Sequence, residues 1–271
     1  MHNRLSFMTF MCPRWSLEQV VEGAKRCGYA GVEPRVKADH AHGVEVTTAR
    51  PERARIRRLF DQAGIAISCL ATSCKFASGL PEGRQDNLDD ARRHLELAAE
   101  VGASRIRVFC GNPPEGWEAE RVVEAVAEQL NALAPEAASC GVTVCLETHD
   151  YFSRATLVGK TLQQVTSAAI AANWDVQHPY NRGEHPLTSW EYLQGRVAHT
   201  HVHDFRPRDG KLVEVGTGIA PVRQFLALLR GAGYEGFLSA EYWEELGPPE
   251  QALPSYAQGM RRLCAEVEAW G

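Results

Sequence analysis

The chain has 271 residues, of which 44% are hydrophobic and 23% are charged, as in an ordinary globular protein. Its net charge of −5 disfavours a nucleic-acid-binding protein, which needs a basic surface. No apolar run is long enough for a membrane helix and the N-terminal residues lack the apolar segment of a signal peptide, so we expect a cytoplasmic protein that does not bind membranes.

Short apolar runs alternate with helical patterns along the chain. The first predicted helix, SLEQVVEGAKRCG, starts with a capping box formed by Ser16 and Gln19 and ends at Gly28. The eight predicted strands are LSFMTF (5–10), GVEP (31–34), IAISCLAT (65–72), SRIRVFCG (104–111), VTVCLETHD (142–150), ANWDVQH (172–178), VAHTHVHDF (197–205) and GFLSAEYW (236–243).

A helical pattern follows each of these strands. The seven later helices are predicted at 50–64, 87–101, 117–139, 161–171, 188–194, 221–232 and 256–270. Thr161 with Gln164, and Thr188 with Glu191, have the spacing of capping boxes for the fifth and sixth helices. Eight strand–helix units without a composition break predict an α/β fold, a single (β/α)₈ TIM barrel that forms one domain over residues 1–271.

The last four predicted strands place polar residues at the barrel axis. Side chains alternate along a strand, and large apolar residues take the outward positions in these four. The inward residues near the strand ends are Glu147, Asp175, His201 and Glu241. Three carboxylates buried together need a cation, and three oxygens with one imidazole suit Mn²⁺, Co²⁺ or Mg²⁺ better than a structural Zn²⁺. His199 lies deeper in the same strand, as a packed or hydrogen-bonded core residue.

These strands resemble those of the xylose isomerase-like TIM barrel superfamily, in the branch of ketose 3-epimerases and inosose-processing enzymes. LETHD resembles the family's L-E-x-H, WDVQHP its D-x-x-H, AHTHVHD its H-x-H-x-K-D, and SAEYWEE its closing strand. GYAGVEPR, around Glu33, resembles its second strand. The resemblance implies one divalent metal ion, Mn²⁺ or else Co²⁺, Mg²⁺ or Zn²⁺, bound by Glu147, Asp175, His201 and Glu241.

The resemblance also implies the chemistry and the substrate contacts. A metal-stabilised enediolate would form when Glu147 or Glu241 removes a proton next to a carbonyl, and return of the proton would give sugar isomerisation or epimerisation. The sugar or polyol substrate would contact His149, His178, Arg206 and His203. His203 stands where the family often has lysine, so a group that titrates near neutrality replaces a fixed cation.

Other features of the sequence are more ambiguous. Phe7, Trp15 and Trp243 stand near strand ends, where they either line the pocket or pack in the core. VGTGIAP (215–221) is either a phosphate-binding loop at a helix N-terminus or a plain turn.

Three alternative functions remain open. A dehydratase of a keto-inositol or related keto-polyol could use the same enediolate, with His149 or His178 as general acid. A multi-zinc DNA-repair nuclease would need histidines at the ends of strands three and four, which read LATSCK and RVFCGN. The third is a non-catalytic barrel subunit. Related barrels also suggest a homodimer or homotetramer.

Overall fold

Parallel strands form the centre of the molecule. The computed structural model describes residues 4–243 and 246–270. The strands in that part of the chain are β1 (Arg4–Phe7), β2 (Gly31–Val32), β3 (Ala66–Ile67), β4 (Leu70–Lys75), β5 (Arg105–Phe109), β6 (Thr143–Glu147), β7 (Ile170–Asp175), β8 (Val197–Val202), β9 (Asp204–Phe205), β10 (Leu212–Val213) and β11 (Phe237–Ala240). One curled sheet has the order β1-β11-β8-β7-β6-β5-β4, and β9 and β10 form a separate antiparallel hairpin.

Shorter strands close the barrel between β1 and β4. β2 pairs with β3 in parallel, and isolated bridges join Met8 to Glu33 and Arg35 to Ala71. The predicted third strand is split into β3 and β4, so the eight barrel positions are β1, β2, β3 with β4, β5, β6, β7, β8 and β11. The predicted (β/α)₈ barrel is therefore confirmed.

Helices follow these strands. They are α1 (Leu17–Cys27), α2 (Arg50–Ala63), α3 (Arg84–Val101), α4 (Ala119–Cys140), α5 (Ala155–Gln163), α6 (Gln177–Asn181), α7 (Pro186–Leu193), α8 (Val222–Gly231) and α9 (Pro249–Glu268). The capping box of Ser16 and Gln19 is present at the start of α1, and Gly28 ends that helix with φ of 70°. Within the described residues, no helix is long and apolar enough to cross a membrane.

The capping boxes predicted for the fifth and sixth helices are wrong, and the last helix, α9, begins at Pro249, seven residues before its predicted start. The fifth helix was predicted to begin at Thr161, but α5 ends at Gln163. The Thr161 hydroxyl donates to the carbonyl of Leu157 inside α5. The predicted range 161–171 also runs into β7, which pairs with β6. The sixth helix begins two residues before Thr188, because Pro186 fits the first turn and a ring nitrogen of His185 accepts from the Leu187 amide.

The outward faces of the strands pack against the helices in one hydrophobic core. Val144, Leu146, Trp174, Val202 and Leu238 belong to that core, as their alternation predicts. The inward positions carry polar side chains instead. Inside the barrel, the hydroxyls of Ser6 and Ser68 are 2.6 Å apart. Nearer the carboxyl ends of the strands, the interior contains a cluster of ionisable groups.

Candidate metal centre

Four buried side chains meet at the carboxyl ends of the barrel strands. Glu147 ends β6, Asp175 ends β7, His201 lies in β8, and Glu241 directly follows β11. One potential ligand atom from each lies within 4.8 Å of the others. The strand register places Asp175 directly opposite His201. Glu147 lies opposite Asn173, two residues before Asp175, and Glu241 lies two residues after Ser239, the partner of His201. We call these four residues the quartet, and they are the four predicted ligands.

The ring of His201 connects the quartet to a deeper carboxylate. Its Nδ1 is 2.8 Å from Glu147 Oε1 and 3.2 Å from Glu241 Oε2. On the other side of the ring, Nε2 is 3.0 Å from Oε1 of Glu33. A cation bound at Nδ1 would displace the proton there while Nε2 stays paired with Glu33, as in the carboxylate–histidine pairs that orient metal ligands.

Glu33 is itself fully held by partners. Its Oε2 is 2.9 Å from His199 Nε2 and accepts a 2.6 Å hydrogen bond from the Ser239 hydroxyl. His199 is therefore a hydrogen-bonded core residue, as predicted. The resemblance included Glu33 on the second strand, but the sequence did not reveal its contact with His201.

Asp175 presents to the quartet an oxygen that has an ion-pair contact but no hydrogen bond among the described residues. Its Oδ1 accepts hydrogen bonds from the backbone amides of Gln177 (2.7 Å) and His178 (2.8 Å). Its Oδ2 lies 3.0 Å from His203 Nε2, yet the geometry between them is not that of a hydrogen bond, and neither atom has another partner among the described residues. A buried carboxylate oxygen without a donor is costly, and a bound cation would satisfy it.

An arginine that sequence reasoning missed lies beside the quartet. Arg107 on β5 is 2% exposed, and its Nη1 donates to Glu147 Oε2 at 2.9 Å. Ile106 and Val108 belong to the hydrophobic core, so the same alternation that revealed the quartet could have placed Arg107 inside the barrel.

The electrostatics of these groups are dominated by their mutual contacts. Burial alone would neutralise the carboxylates, but the positive charge of His201, aided by Arg107, holds the pKa of Glu147 well below its usual range. His201 likewise lowers the pKa of Glu241. In return Glu33, Glu241 and Glu147 overcome burial and raise the pKa of His201 well above its usual value. The carboxylates are thus ionised at neutral pH, as metal ligands or bases must be.

The donor set fits a divalent cation. Three ionised carboxylates and one imidazole nitrogen are buried together, and hard oxygen donors with one nitrogen suit such an ion. Two other groups of potential ligands among residues 4–243 and 246–270 are less suitable. Lys37 already neutralises Asp90 at 2.6 Å in the Cys74, Asp90 and His94 group. In the Glu33, Cys69 and His199 group, burial raises the pKa of the Cys69 thiol well above its ordinary value.

The quartet adjoins a cavity of about 510 Å³, and Glu241 is the quartet residue that lines it. Its lining is formed by Phe10, Arg35, Arg107, Phe109, His149, Gln177, His178, His203, Asp209, Gly210, Lys211, Leu212, Glu241 and Trp243. The hairpin that contains β9 and β10 covers one side of the opening. Three of the predicted substrate contacts, His149, His178 and His203, are in this lining.

His149 is oriented by the next residue in the chain. Its Nδ1 is 2.7 Å from Oδ1 of Asp150, which adopts a left-handed φ of 51°. Although burial opposes the charged imidazole, the hydrogen bond and charge of Asp150 raise the pKa of His149. The opposite edge of the ring is left to face the cavity and the ring of His178, whose centroid is 4.4 Å away.

The structure does not bring Arg206 to the cavity. Its side chain is 54% exposed and pairs with Asp209 at 3.0 Å. Of the three aromatic residues considered for the pocket, Trp243 lines it and stacks on Phe10 with ring centroids 5.0 Å apart. The other two are excluded from the pocket, since Phe7 packs in the core against Tyr29 and Trp15 borders a separate surface groove.

The loop VGTGIAP is a turn that holds an internal carboxylate. Backbone amides of Gly216, Gly218 and Ala220 donate to Asp204, at 2.9, 2.8 and 2.9 Å, and the amide of Phe205 does so as well. The phosphate-binding alternative is therefore wrong, because the donors that would bind a phosphate are occupied by a residue of the chain.

The fold and the site together define a (β/α)₈ barrel with a group of potential metal ligands at the carboxyl ends of its strands, as the sequence motifs indicated. Residues 21–265 match the family described as xylose isomerase-like TIM barrel, and the chain belongs to that family. No curated protein is similar enough in sequence to count as a match.

Solved structures agree with that assignment at the level of the fold. The IOLI protein with a bound zinc atom is similar with a TM-score of 0.84 and 16% identity, over 97% of this chain and 99% of that one. L-ribulose 3-epimerase is similar with a TM-score of 0.81 and 15% identity, over 99% and 96%. The probable 3-DHS dehydratase AsbF from Bacillus anthracis has a TM-score of 0.77 and 16% identity, over 95% and 98%.

Proposed function

We propose that the protein is a divalent-metal-dependent sugar isomerase or epimerase, with Mn²⁺ as the ion. The observation that carries this proposal is the buried quartet beside the cavity, with Glu241 in the cavity lining and Glu147 in the same cluster of potential ligands. The epimerase and the zinc-containing protein that share the fold support it. We also propose that the protein acts in the cytoplasm on a small sugar or polyol, as a homodimer or homotetramer.

A cation bound by the quartet would stabilise negative charge as it develops on substrate oxygens. The proton transfers belong to the chain's own residues. Glu147 and Glu241 come from β6 and β11, and both are ionised, so each can accept a proton from carbon. Removal by one glutamate and return by the other on the opposite face would invert a carbon centre. Return to the neighbouring carbon would give isomerisation.

The other residues of the cavity would bind and orient the substrate. His178 and His203 line the cavity beside Asp175, where they can hydrogen-bond hydroxyl groups. Arg107 and His201 fix the two oxygens of Glu147, which limits the directions from which that carboxylate approaches a proton.

A dehydratase is the second candidate, and His149 is the residue that favours it. With its pKa raised by Asp150, this histidine carries a proton that it could donate to a departing hydroxyl group. A probable dehydratase is also among the proteins with the same fold.

One experiment separates these activities. The Mn²⁺-loaded protein is incubated in D₂O with a panel of ketohexoses and keto-inositols, and the products are analysed by mass and NMR. Isomerisation or epimerisation predicts a product of unchanged composition apart from deuterium at carbon. Loss of water from the product would favour the dehydratase, and bound metal without any exchange would favour a non-catalytic barrel.

A further inference from the structure

Two guanidinium groups line the cavity, and the proton transfers proposed above leave one of them without a role. Arg107 belongs to β5 and pairs with Glu147, whereas Arg35 follows β2. Arg35 donates to the carbonyl oxygens of Val36 and Ala71 and to the hydroxyl of Ser73. Within the described residues, none of these partners is a carboxylate.

Both arginines keep unused donors. In each of them Nε is buried and has no hydrogen-bond partner among the described residues. A guanidinium has no acceptor and is suited to bidentate contact with an anion. Because the bonds to Val36 and Ala71 hold Arg35 against the backbone of the barrel, its charge is fixed in place before a ligand arrives.

The charges around the cavity also favour an anion. Burial, and then the charge of Arg107, lower the pKa of Arg35 to about 10, although Glu241, Glu45 and Glu147 oppose this shift. Glu147 is hydrogen-bonded to Arg107 and His201, and no carboxylate of the described residues is hydrogen-bonded to Arg35. An anionic ligand group that accepts from the free Nε would offset the cost of desolvating this half-buried cation.

We propose that the cavity takes a substrate with an anionic oxyacid group, a carboxylate or a phosphate, which Arg35 binds together with Arg107. This inference rests on the proposed function and narrows its substrate to an acidic sugar or acidic keto-polyol. Phe10 and Phe109 flank the two guanidinium groups, with ring centroids 5.7 Å and 4.1 Å from the Cζ atoms of Arg35 and Arg107.

The test compares ligands that differ in charge. Calorimetry measures the affinity of the Mn²⁺-loaded protein for D-fructose, D-fructuronate and D-fructose 6-phosphate. We expect at least one acidic ketose to bind about 10- to 100-fold more tightly than fructose, as charged hydrogen bonds typically provide. A preference for fructuronate identifies a carboxylate, and a preference for the phosphorylated sugar identifies a phosphate. Equal affinity for the three ligands overturns the inference.

Variants of Arg35 test whether this residue, and not the metal ion, causes the preference for acidic ligands. Arg35→Gln is expected to abolish the preference, and Arg35→Lys to keep part of it because the charge remains. Arg208→Gln is the matched control, since it removes one positive charge from an exposed residue outside the cavity lining and should leave the preference intact. A preference that survives in Arg35→Gln overturns the inference.

Two further readouts keep the test decisive. Thermal unfolding and metal content are measured for each variant, because Arg35 also braces the backbone at Ala71. If Arg35→Gln does not fold, the ligand affinities of the wild type and of Arg35→Lys still test whether an acidic group is preferred. Deuterium exchange separates the two proposals: exchange without a preference for acidic ligands refutes only this inference. Tight, Arg35-dependent binding without exchange refutes only the proposed isomerase.

Discussion

The two sides of the barrel differ in regularity and in the groups that they contribute. β6, β7, β8 and β11 pair in parallel ladders, with a register shift between Ala172 and Asn173 where β7 meets β8, and their ends carry the whole quartet. On the opposite side, β2 and β3 have only two residues each, and isolated bridges complete the closure. That side supplies Glu33, which supports His201, and Arg35, which faces the cavity.

The difference suggests a division of roles. Regular strands hold side chains at fixed heights, as a set of metal ligands requires. Irregular segments can place long side chains such as Arg35 over the cavity without disturbing those ligands. Substitutions on the two sides should therefore differ in their effects, which are expected to be largest on the side that carries the ligands.

The largest effect is expected for the two glutamates of the quartet. Glu241→Gln and Glu147→Gln should each lower deuterium exchange at the substrate carbon by about 100-fold or more, since each removes both a ligand and a base. Glu250→Gln, in the separate surface groove, is the control and should retain full exchange. Wild-type exchange in both quartet variants would exclude the proposed roles.

The next effect concerns pH, and it is measured on metal-free protein. Burial opposes the charge on His203, but Asp175 outweighs it and raises the pKa of His203 from 6.5 to about 9. A raised folded-state pKa adds stability that is complete below pH 6.5 and declines as pH rises towards the folded value. Relative to His203→Gln, the wild type should lose up to about 3 kcal/mol over that interval.

Urea unfolding of both proteins across that pH range, with a chelator present, measures this contribution. Parallel pH profiles for the two proteins would mean that the ion pair of His203 and Asp175 adds nothing.

A smaller effect is expected where the loop holds Asp204. Its carboxylate accepts hydrogen bonds from four backbone amides, and Asp204→Asn replaces one of its oxygens with a donor that clashes with them. We expect a loss of about 2–3 kcal/mol in the free energy of unfolding by urea. Asp209→Asn, on the exposed part of the same hairpin, should change stability by less than about 0.5 kcal/mol. Equal effects would contradict the role of Asp204.

Substitutions around Glu33, which follows β2, should have the smallest effect on metal binding. Glu33→Gln weakens the hydrogen bond that orients His201 but removes no ligand, so the affinity for Mn²⁺ should fall by about 10- to 100-fold. Ser239→Ala removes only the hydroxyl that holds Glu33 and should change the affinity less. Complete loss of the metal in Glu33→Gln would mean that Glu33 is itself a ligand.

The sequence predicted the quartet because the interior of a parallel barrel obeys a simple alternation. Outward positions such as Val144 and Trp174 are apolar, so the polar residues between them must face the axis. The same rule applies to Arg107, which was overlooked because arginine is usually at the surface.

Other features depend on contacts that no local pattern contains. Asp204 is held by amides 12 to 16 residues later in the chain, and Glu33 meets His201 across the barrel. The start of α5 was misplaced because Thr161 and Gln164 have the spacing of a capping box, although they lie at the end of α5. The chain after them leads into β7, which pairs with β6. Arg206 was placed at the cavity by resemblance, and the structure leaves its substrate-binding role a prediction.

The most direct test of the central claim is the number of divalent ions that the quartet binds. Titration of metal-free protein with Mn²⁺, followed by elemental analysis after gel filtration, should give one equivalent in the wild type. Asp175→Asn should retain far less, because it removes the negative charge and one carboxylate oxygen of a quartet ligand. A wild-type protein that retains no ion, or an Asp175→Asn variant that retains a full equivalent, would contradict the assignment of the quartet as a metal centre.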